Sequence, residues 1–238
     1  MKVYASCSSY TLGCLVGMHE ASRLISAAVS DPEHEQLIPA VHALRLLREL
    51  SEFQLRVDGG ATQIAKTRSR HFTAALASDC DAWFTIDDDI DTDLGTLALL
   101  LAAVKSDDPR VCFAPYRQRG TEHVALVTWP DVGLERKVLS LSPVFSGYVR
   151  SALYGGFGLV VVNRAAMQLI ARDAPTFIEG DGAPKSAAFL ETLDAEGHWL
   201  GEDFAFYERA RRVATVEALV TGNVTHAGAP LDLSTLRM

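Results

Sequence analysis

The sequence predicts an α/β protein built on a doubly wound, mostly parallel sheet with helices on both faces. Three observations carry this. Strand-like and helix-like segments alternate β-α-β-α-β-α-β through the first half of the chain. The run CDAWFTI is a short apolar segment of the kind that forms a buried strand. It passes directly into five carboxylates within seven positions, Asp87 to Asp93, and strand C-terminal ends are where such sheets bind ligands.

The elements follow in order. Lys2 to Ser8 reads as a strand ending in the small-residue loop SCSSYTLG. Leu15 to Val29 reads as a helix, SDPEHEQ interrupts it, and LIPAVHALRLLREL brings apolar residues round at helical spacing again. EFQLRVDGG is a strand with a glycine stop. ATQIAKTRSRHFTAALASD is helical, with Ile64, Phe72, Leu76 and Ala77 expected inward and Lys66, Arg68 and Arg70 available to a ligand. After the acidic cluster, LGTLALLLAAVKS is a strongly apolar helix and RVCFAPY the next strand.

The second half is less regular. HVALVTW reads as a strand, and residues 130–150 as a loop or antiparallel insertion. YGGFGLVVVNRAAMQLIAR gives a glycine-rich turn, a strand and a helix. FIEGDGAPKSA is expected to be a mobile loop. GEDFAFYERARRV opens a helix, and ATVEALVTGNVTHAG gives a strand and a terminal turn. No repeat or linker divides the chain, so one domain over residues 1–238 is expected.

Composition narrows the function. The 238 residues are 48% hydrophobic and 22% charged, with a formal net charge of −8. That suits a globular protein with a sizeable core and disfavours binding driven by phosphate contacts to nucleic acid. The four cysteines form no CxxC pair, so a zinc ribbon or thioredoxin motif is not expected, and buried free thiols are. Neither a signal peptide nor a membrane span is read, which points to a cytoplasmic protein.

The acidic cluster has several readings. An EF-hand loop needs Gly at position six and Glu at twelve. Starting at Asp87, those positions are Thr92 and Ala98; starting at Asp89, they are Leu94 and Leu100. Both frames fail. A haloacid-dehalogenase motif belongs on a first strand, and this one is the third. A DxD site fits. A nucleotide-sugar must release a diphosphate, and a divalent cation neutralises the charge that develops on it. Mg²⁺ and Mn²⁺ are held by one or two carboxylates plus substrate oxygens. Asp residues at i and i+2 on a strand end point the same way.

Taken together, the motifs resemble the GT-A type nucleotide-sugar glycosyltransferases, particularly small bacterial and phage-like members. KTRSRHFTAALASDCDAWFTIDDDI is similar to an arginine-bearing helix leading into a strand and a DxD. Arg70 stands at the family's helix arginine, although His71 replaces the usual asparagine. YGGFGLVVVNRAAMQLI resembles the glycine-rich strand before the active-site helix, GEDFAFYERAR the (E/D)D helix start, and VTHAG the C-terminal His-x-Gly. The four matches span about residues 62–228. The first 60 residues agree in pattern only.

The resemblance implies a GT-A (Rossmann-like) fold, with residues 1–115 binding nucleotide and 116–238 forming an irregular acceptor-binding and catalytic portion. It implies that Asp89 ligates Mn²⁺ or Mg²⁺ and that Asp87 holds the ribose or also approaches the ion. Asp88 points the other way or shifts the frame by one. Asp91 and Asp93 are left to solvent or to capping the next helix. His226 completes the metal site. Asp203 is the general base of an inverting reaction, placed by a helix N-terminus, with Glu202 as runner-up. If neither acts as base, the reaction is retaining. Lys66 and Arg70 face the diphosphate, Ser8 the nucleotide base, and Gly155, Gly156 and Gly158 let backbone approach the sugar or acceptor. Trp199 is a sugar-stacking wall. His19, His34, His42, His123 and His198 read as structural.

A UDP- or GDP-sugar is the expected donor. The acceptor is open among a glycan, a small molecule and a modified DNA base. Two rival classes stand behind this one. A nucleotidyltransferase would carry a glycine- and lysine/arginine-rich signature near the N-terminus, which MKVYASCSSYTLG lacks. A non-enzymatic cation- or nucleotide-binding module leaves GED and THAG unexplained.

Overall fold

The computed structural model describes residues 1–8, 52–58, 63–87, 89–116, 149–220, 223–226 and 229–232. The two helices expected between Leu15 and Leu50, the strand HVALVTW, the segment 130–148 and Asp88 lie outside the described residues.

A seven-stranded sheet organises the fold. Its strands are β1 (Lys2–Ser8), β2 (Glu52–Asp58), β3 (Ala82–Asp87), β5 (Arg110–Phe113), β6 (Val149–Ser151), β7 (Leu159–Asn163) and β12 (Thr215–Leu219). The spatial order is β2-β1-β3-β7-β5-β12-β6. The pairs β2–β1, β1–β3 and β5–β12 are parallel; β7 and β6 run against their neighbours. The sheet is therefore mixed but mostly unidirectional, as expected.

Alternation along the strands divides the core into two layers. Val3, Ala5, Phe84, Ile86, Cys112 and Val161 face α2 (Leu94–Val104), whose Leu97, Leu100, Leu101 and Val104 are buried against them. Tyr4, Trp83, Phe113, Val160 and Val162 face three other helices: α1 (Ile64–Ala77), α3 (Arg164–Asp173) and α4 (Glu202–Ala210). Trp83 centres this second layer. It sits edge-on to Phe72 and Phe189, with ring centroids at 5.4 and 6.1 Å, and its indole N–H donates to Ser6 Oγ at 2.9 Å. Such aromatic contacts add about 0.5–1.5 kcal/mol each beyond the area they bury. Cys80 and Cys112 are buried free thiols.

The caps explain where helices begin. Asp93 accepts from Thr96 N at 2.7 Å and opens α2, so its role is the expected one. Asn163 does the same for α3 by accepting from Ala166 N at 3.0 Å.

Three expectations need correction. Ala77 is exposed, because α1 turns its Thr67, Arg68, Ser69, His71, Phe72 and Ala75 side inward instead. The segment expected as a mobile loop is a hairpin, β8 (Thr176–Ile178) with β9 (Pro184–Ser186). Gly182, at φ +72°, makes its turn. The terminal turn is also a strand pair. β13 (Asn223–His226) lies between β14 (Ala229–Asp232) and β4 (Ile90–Thr92) in a separate three-stranded sheet, so Asp91 belongs to a strand. A further hairpin, β10 (Thr192–Leu193) with β11 (Trp199–Leu200), leads into α4. Among the described residues no helix is long and apolar enough to cross a membrane.

Candidate active site

The site is assembled where β3 leaves the core. Residues 82–86 are buried, and Asp87 is the first at the rim. Its amide donates to Gly158 O at 2.8 Å, which ties the end of β3 to the glycine turn before β7. Ser8, at the end of β1, is in register with Asp87.

Arg68 reaches this rim from α1. Its side chain is 4% exposed. Nη2 donates to Asp87 Oδ2 at 2.7 Å, and Nη1 donates to Asp203 Oδ1 and lies 3.5 Å from Glu202 Oε1. The Phe157 ring lies under the guanidinium, 5.3 Å from Cζ. Burial works against the Arg68 charge, but the carboxylates of Asp203 and Asp87 outweigh it and hold the guanidinium charged above its ordinary range.

Asp203 occupies the first turn of α4, after the N-cap Gly201. There the helix end favours a carboxylate, and Phe157 N donates to Asp203 Oδ2 at 3.2 Å. Burial nevertheless pushes the Asp203 pKa up to about 6; Arg68 opposes the rise, and Glu202 and Asp87 add to it. The result is a carboxylate tuned toward neutral pH, as a general base requires.

The second part of the site comes from the small sheet. Pairing of β13 with β4 sets His226 opposite Ile90, and His226 Nε2 lies 3.2 Å from Asp89 Oδ2. Cis ligands of an octahedral ion at about 2.1 Å stand roughly 3 Å apart. A carboxylate oxygen and an imidazole nitrogen at this spacing therefore fit two positions on one Mn²⁺ or Mg²⁺.

Tyr116, unremarked in the sequence, joins the two parts. Its ring lies 4.8 Å from that of His226. Burial and the nearby charges of Asp203 and Asp87 raise its phenol well above the ordinary range. The glycines make room for aromatic rings: a Cβ on Gly158 would stand 2.7 Å from Tyr116 Cε1, one on Gly156 would collide with the Tyr116 hydroxyl, and one on Gly155 with Phe113.

The other candidates are distributed as follows. Lys66 and Arg70 converge on Glu179 of the β8–β9 turn, at 3.0 Å from Lys66 Nζ and 2.7 Å from Arg70 Nε. Positions 66 and 70 share a helix face that lies about 180° from position 68, so the face that meets Glu179 is not the one that meets Asp87. Trp199 is 66% exposed and pairs across the hairpin with Leu193, just before Glu202 and Asp203. Among the described residues, Asp194, Glu196 and His198 form a group of three potential metal ligands with donor atoms within 4.8 Å of one another, on the exposed β10–β11 turn. Asp87, Asp89 and His226 are arranged differently: Asp87 faces Arg68, and Asp89 faces His226.

No family model matches the chain, and no curated protein does. Solved structures do. That of GalNAc-T7 with UDP, GalNAc and Mn²⁺ aligns with a TM-score of 0.54 at 12% identity, over 94% of this chain and 43% of that one. A crystal structure of an STIV protein aligns at 0.48 and 12% identity, over 95% and 85% of the two chains. Staphylococcus aureus TarS in complex with UDP-GlcNAc aligns at 0.46 and 15%, over 92% and 56%. The chain thus spans less than half the length of the GalNAc-T7 structure. The likeness to the GalNAc-T7 structure shows the fold alone, a GT-A fold.

Proposed function

We propose that the protein is a metal-dependent glycosyltransferase that moves a sugar from a nucleotide-diphosphate-sugar to an acceptor hydroxyl with inversion. The observation that carries this is the meeting of Asp87, Asp203 and the Asp89–His226 pair at one rim of a GT-A sheet. Residues 1–115 serve the nucleotide and 116–238 the acceptor.

Asp203 takes the proton of the acceptor hydroxyl. That oxygen bonds to the anomeric carbon as the bond to the diphosphate breaks, and the nucleoside diphosphate leaves with the electron pair. Glu202 is the second candidate base. Asp89 and His226, with Asp87 or Asp88, would hold Mn²⁺ or Mg²⁺, which when bound would offset charge on the diphosphate. Ser8, in register with Asp87 at the strand end, is the proposed contact to the nucleotide base. Exposed Trp199 offers an apolar wall for a sugar next to the base. The UDP and Mn²⁺ in the GalNAc-T7 structure make UDP-sugars and Mn²⁺ the first donor and ion to test.

Thermal shift with a panel of UDP-, GDP- and other nucleotide-sugars tests the proposal. Stabilisation by a nucleotide-sugar that depends on Mn²⁺ or Mg²⁺ is expected. Stabilisation by Ca²⁺ alone, with no response to any nucleotide-sugar, contradicts it.

A further inference from the structure

We propose that the face of α1 opposite Arg68 carries a second anionic site, built by Lys66, Arg70 and Lys185 at the β8–β9 hairpin, which takes the phosphate group of a ligand with an apolar body.

The three cations converge on one carboxylate. Arg70 donates from Nε to Glu179 Oε2 at 2.7 Å and from Nη2 to Glu179 Oε1, so both arms of its fork are engaged. Lys66 Nζ stands 3.0 Å from Glu179 Oε1, and Lys185 Nζ 3.5 Å from Oε2. Lys185 also pairs with Asp181 at 2.7 Å. The cluster thus gathers three cations around two carboxylates, in a chain whose formal net charge is −8. A guanidinium fork that grips a carboxylate in this way also matches two oxygens of a phosphate. Glu179 holds the place that a ligand phosphate would take.

The surroundings suit a ligand larger than phosphate itself. Lys66 and Arg70 line an open cavity of about 400 Å³ together with Phe177, Ile178 and Gly180. Ile178 is 71% exposed, an apolar wall beside the cations. A few polar groups set against apolar lining are the usual make-up of a small-molecule site. A Cβ on Gly180 or Gly182 would meet nothing within 4 Å, so the turn that carries Glu179 has room to shift. The site is separate from the donor's. On the proposed reading the donor diphosphate belongs at the Asp89–His226 pair, whereas Lys66 and Arg70 meet Glu179 from the far face of α1. The inference does not depend on that reading.

The test is amide chemical-shift titration of the full chain with phenyl phosphate and with inorganic phosphate, in chelator and without nucleotide. Phenyl phosphate is expected to bind more tightly than inorganic phosphate. Its affinity is expected to fall at least about tenfold in Arg70→Gln, which removes a charge-assisted fork, and to rise in Glu179→Gln, which removes the internal competitor. Asp89→Asn is expected to leave it unchanged, which separates this site from the proposed cation site. Should Arg70→Gln not fold, Lys66→Gln makes the same comparison. Co-sedimentation with phosphatidylcholine vesicles, with and without phosphatidic acid, identifies the source of the phosphate. Pelleting that needs phosphatidic acid and Arg70 assigns a lipid headgroup; phenyl phosphate binding without pelleting assigns a soluble phosphate ester. Three results overturn the inference: no binding in either assay, an affinity unmoved by Arg70→Gln or Glu179→Gln, and inorganic phosphate binding as tightly as phenyl phosphate.

Discussion

His226 Nε2 lies 3.2 Å from Asp89 Oδ2, although the two residues are 137 positions apart in the sequence. The short strand β4 brings them together by pairing with β13. If this pair holds the cation, His226→Ala should weaken Mn²⁺ binding at least about tenfold. Calorimetric titration of Mn²⁺ into both proteins checks this; equal affinities would contradict it.

Asp203 gives a pH signature. Its pKa is raised from 3.8 to about 6, so the folded protein binds that proton more tightly than the unfolded chain does. The corresponding stability is full below pH 3.8 and is lost as pH rises through about 6. Thermal unfolding across about pH 4 to 7 should therefore show the wild type losing stability that Asp203→Asn retains. Parallel curves would contradict the shift. If Asp203 is the base, the rate in transfer assays should rise through about pH 6 as it ionises, and Asp203→Asn should lose transfer while keeping donor binding.

The turn before β7 has no room for a side chain at Gly158. Gly158→Ala should displace Tyr116 or Ile90 and cost about 1–3 kcal/mol. Urea denaturation measures this, and a variant as stable as wild type would show that the turn relaxes freely.

The two aspartates beyond the candidate ligands should separate cleanly. Asp93 caps α2, so Asp93→Ala should cost about 1 kcal/mol. Asp91 is exposed on β4, so Asp91→Ala should stay within about 0.5 kcal/mol of wild type. Chemical denaturation of the pair tests both statements.

Much of the scaffold was legible because its signals are local. The apolar run to Ile86, the Asp93 cap and the GED helix start each follow from a few adjacent residues. What escaped depends on tertiary contacts. Three residues, Ile90–Thr92, look like part of an acidic turn until β13 supplies their partner. Arg68 looks like one more exposed cation on α1 until Asp87 and Asp203 make its burial tolerable. The β8–β9 hairpin reads as a loop because its two strands have three residues each, and Glu179 is engaged by Lys66 and Arg70 from a different element. Tyr116 follows a short strand and carries no periodic signal.

The most direct test of the central claim is calorimetric titration of nucleotide-diphosphate-sugars into wild type and Asp89→Asn, with Mn²⁺ and with a chelator in its place. Binding of at least one nucleotide-sugar to the wild type with Mn²⁺ is expected, lost with chelator and weakened at least about tenfold in Asp89→Asn. Binding indifferent to both the chelator and the substitution, or no binding of any nucleotide-sugar, would contradict it.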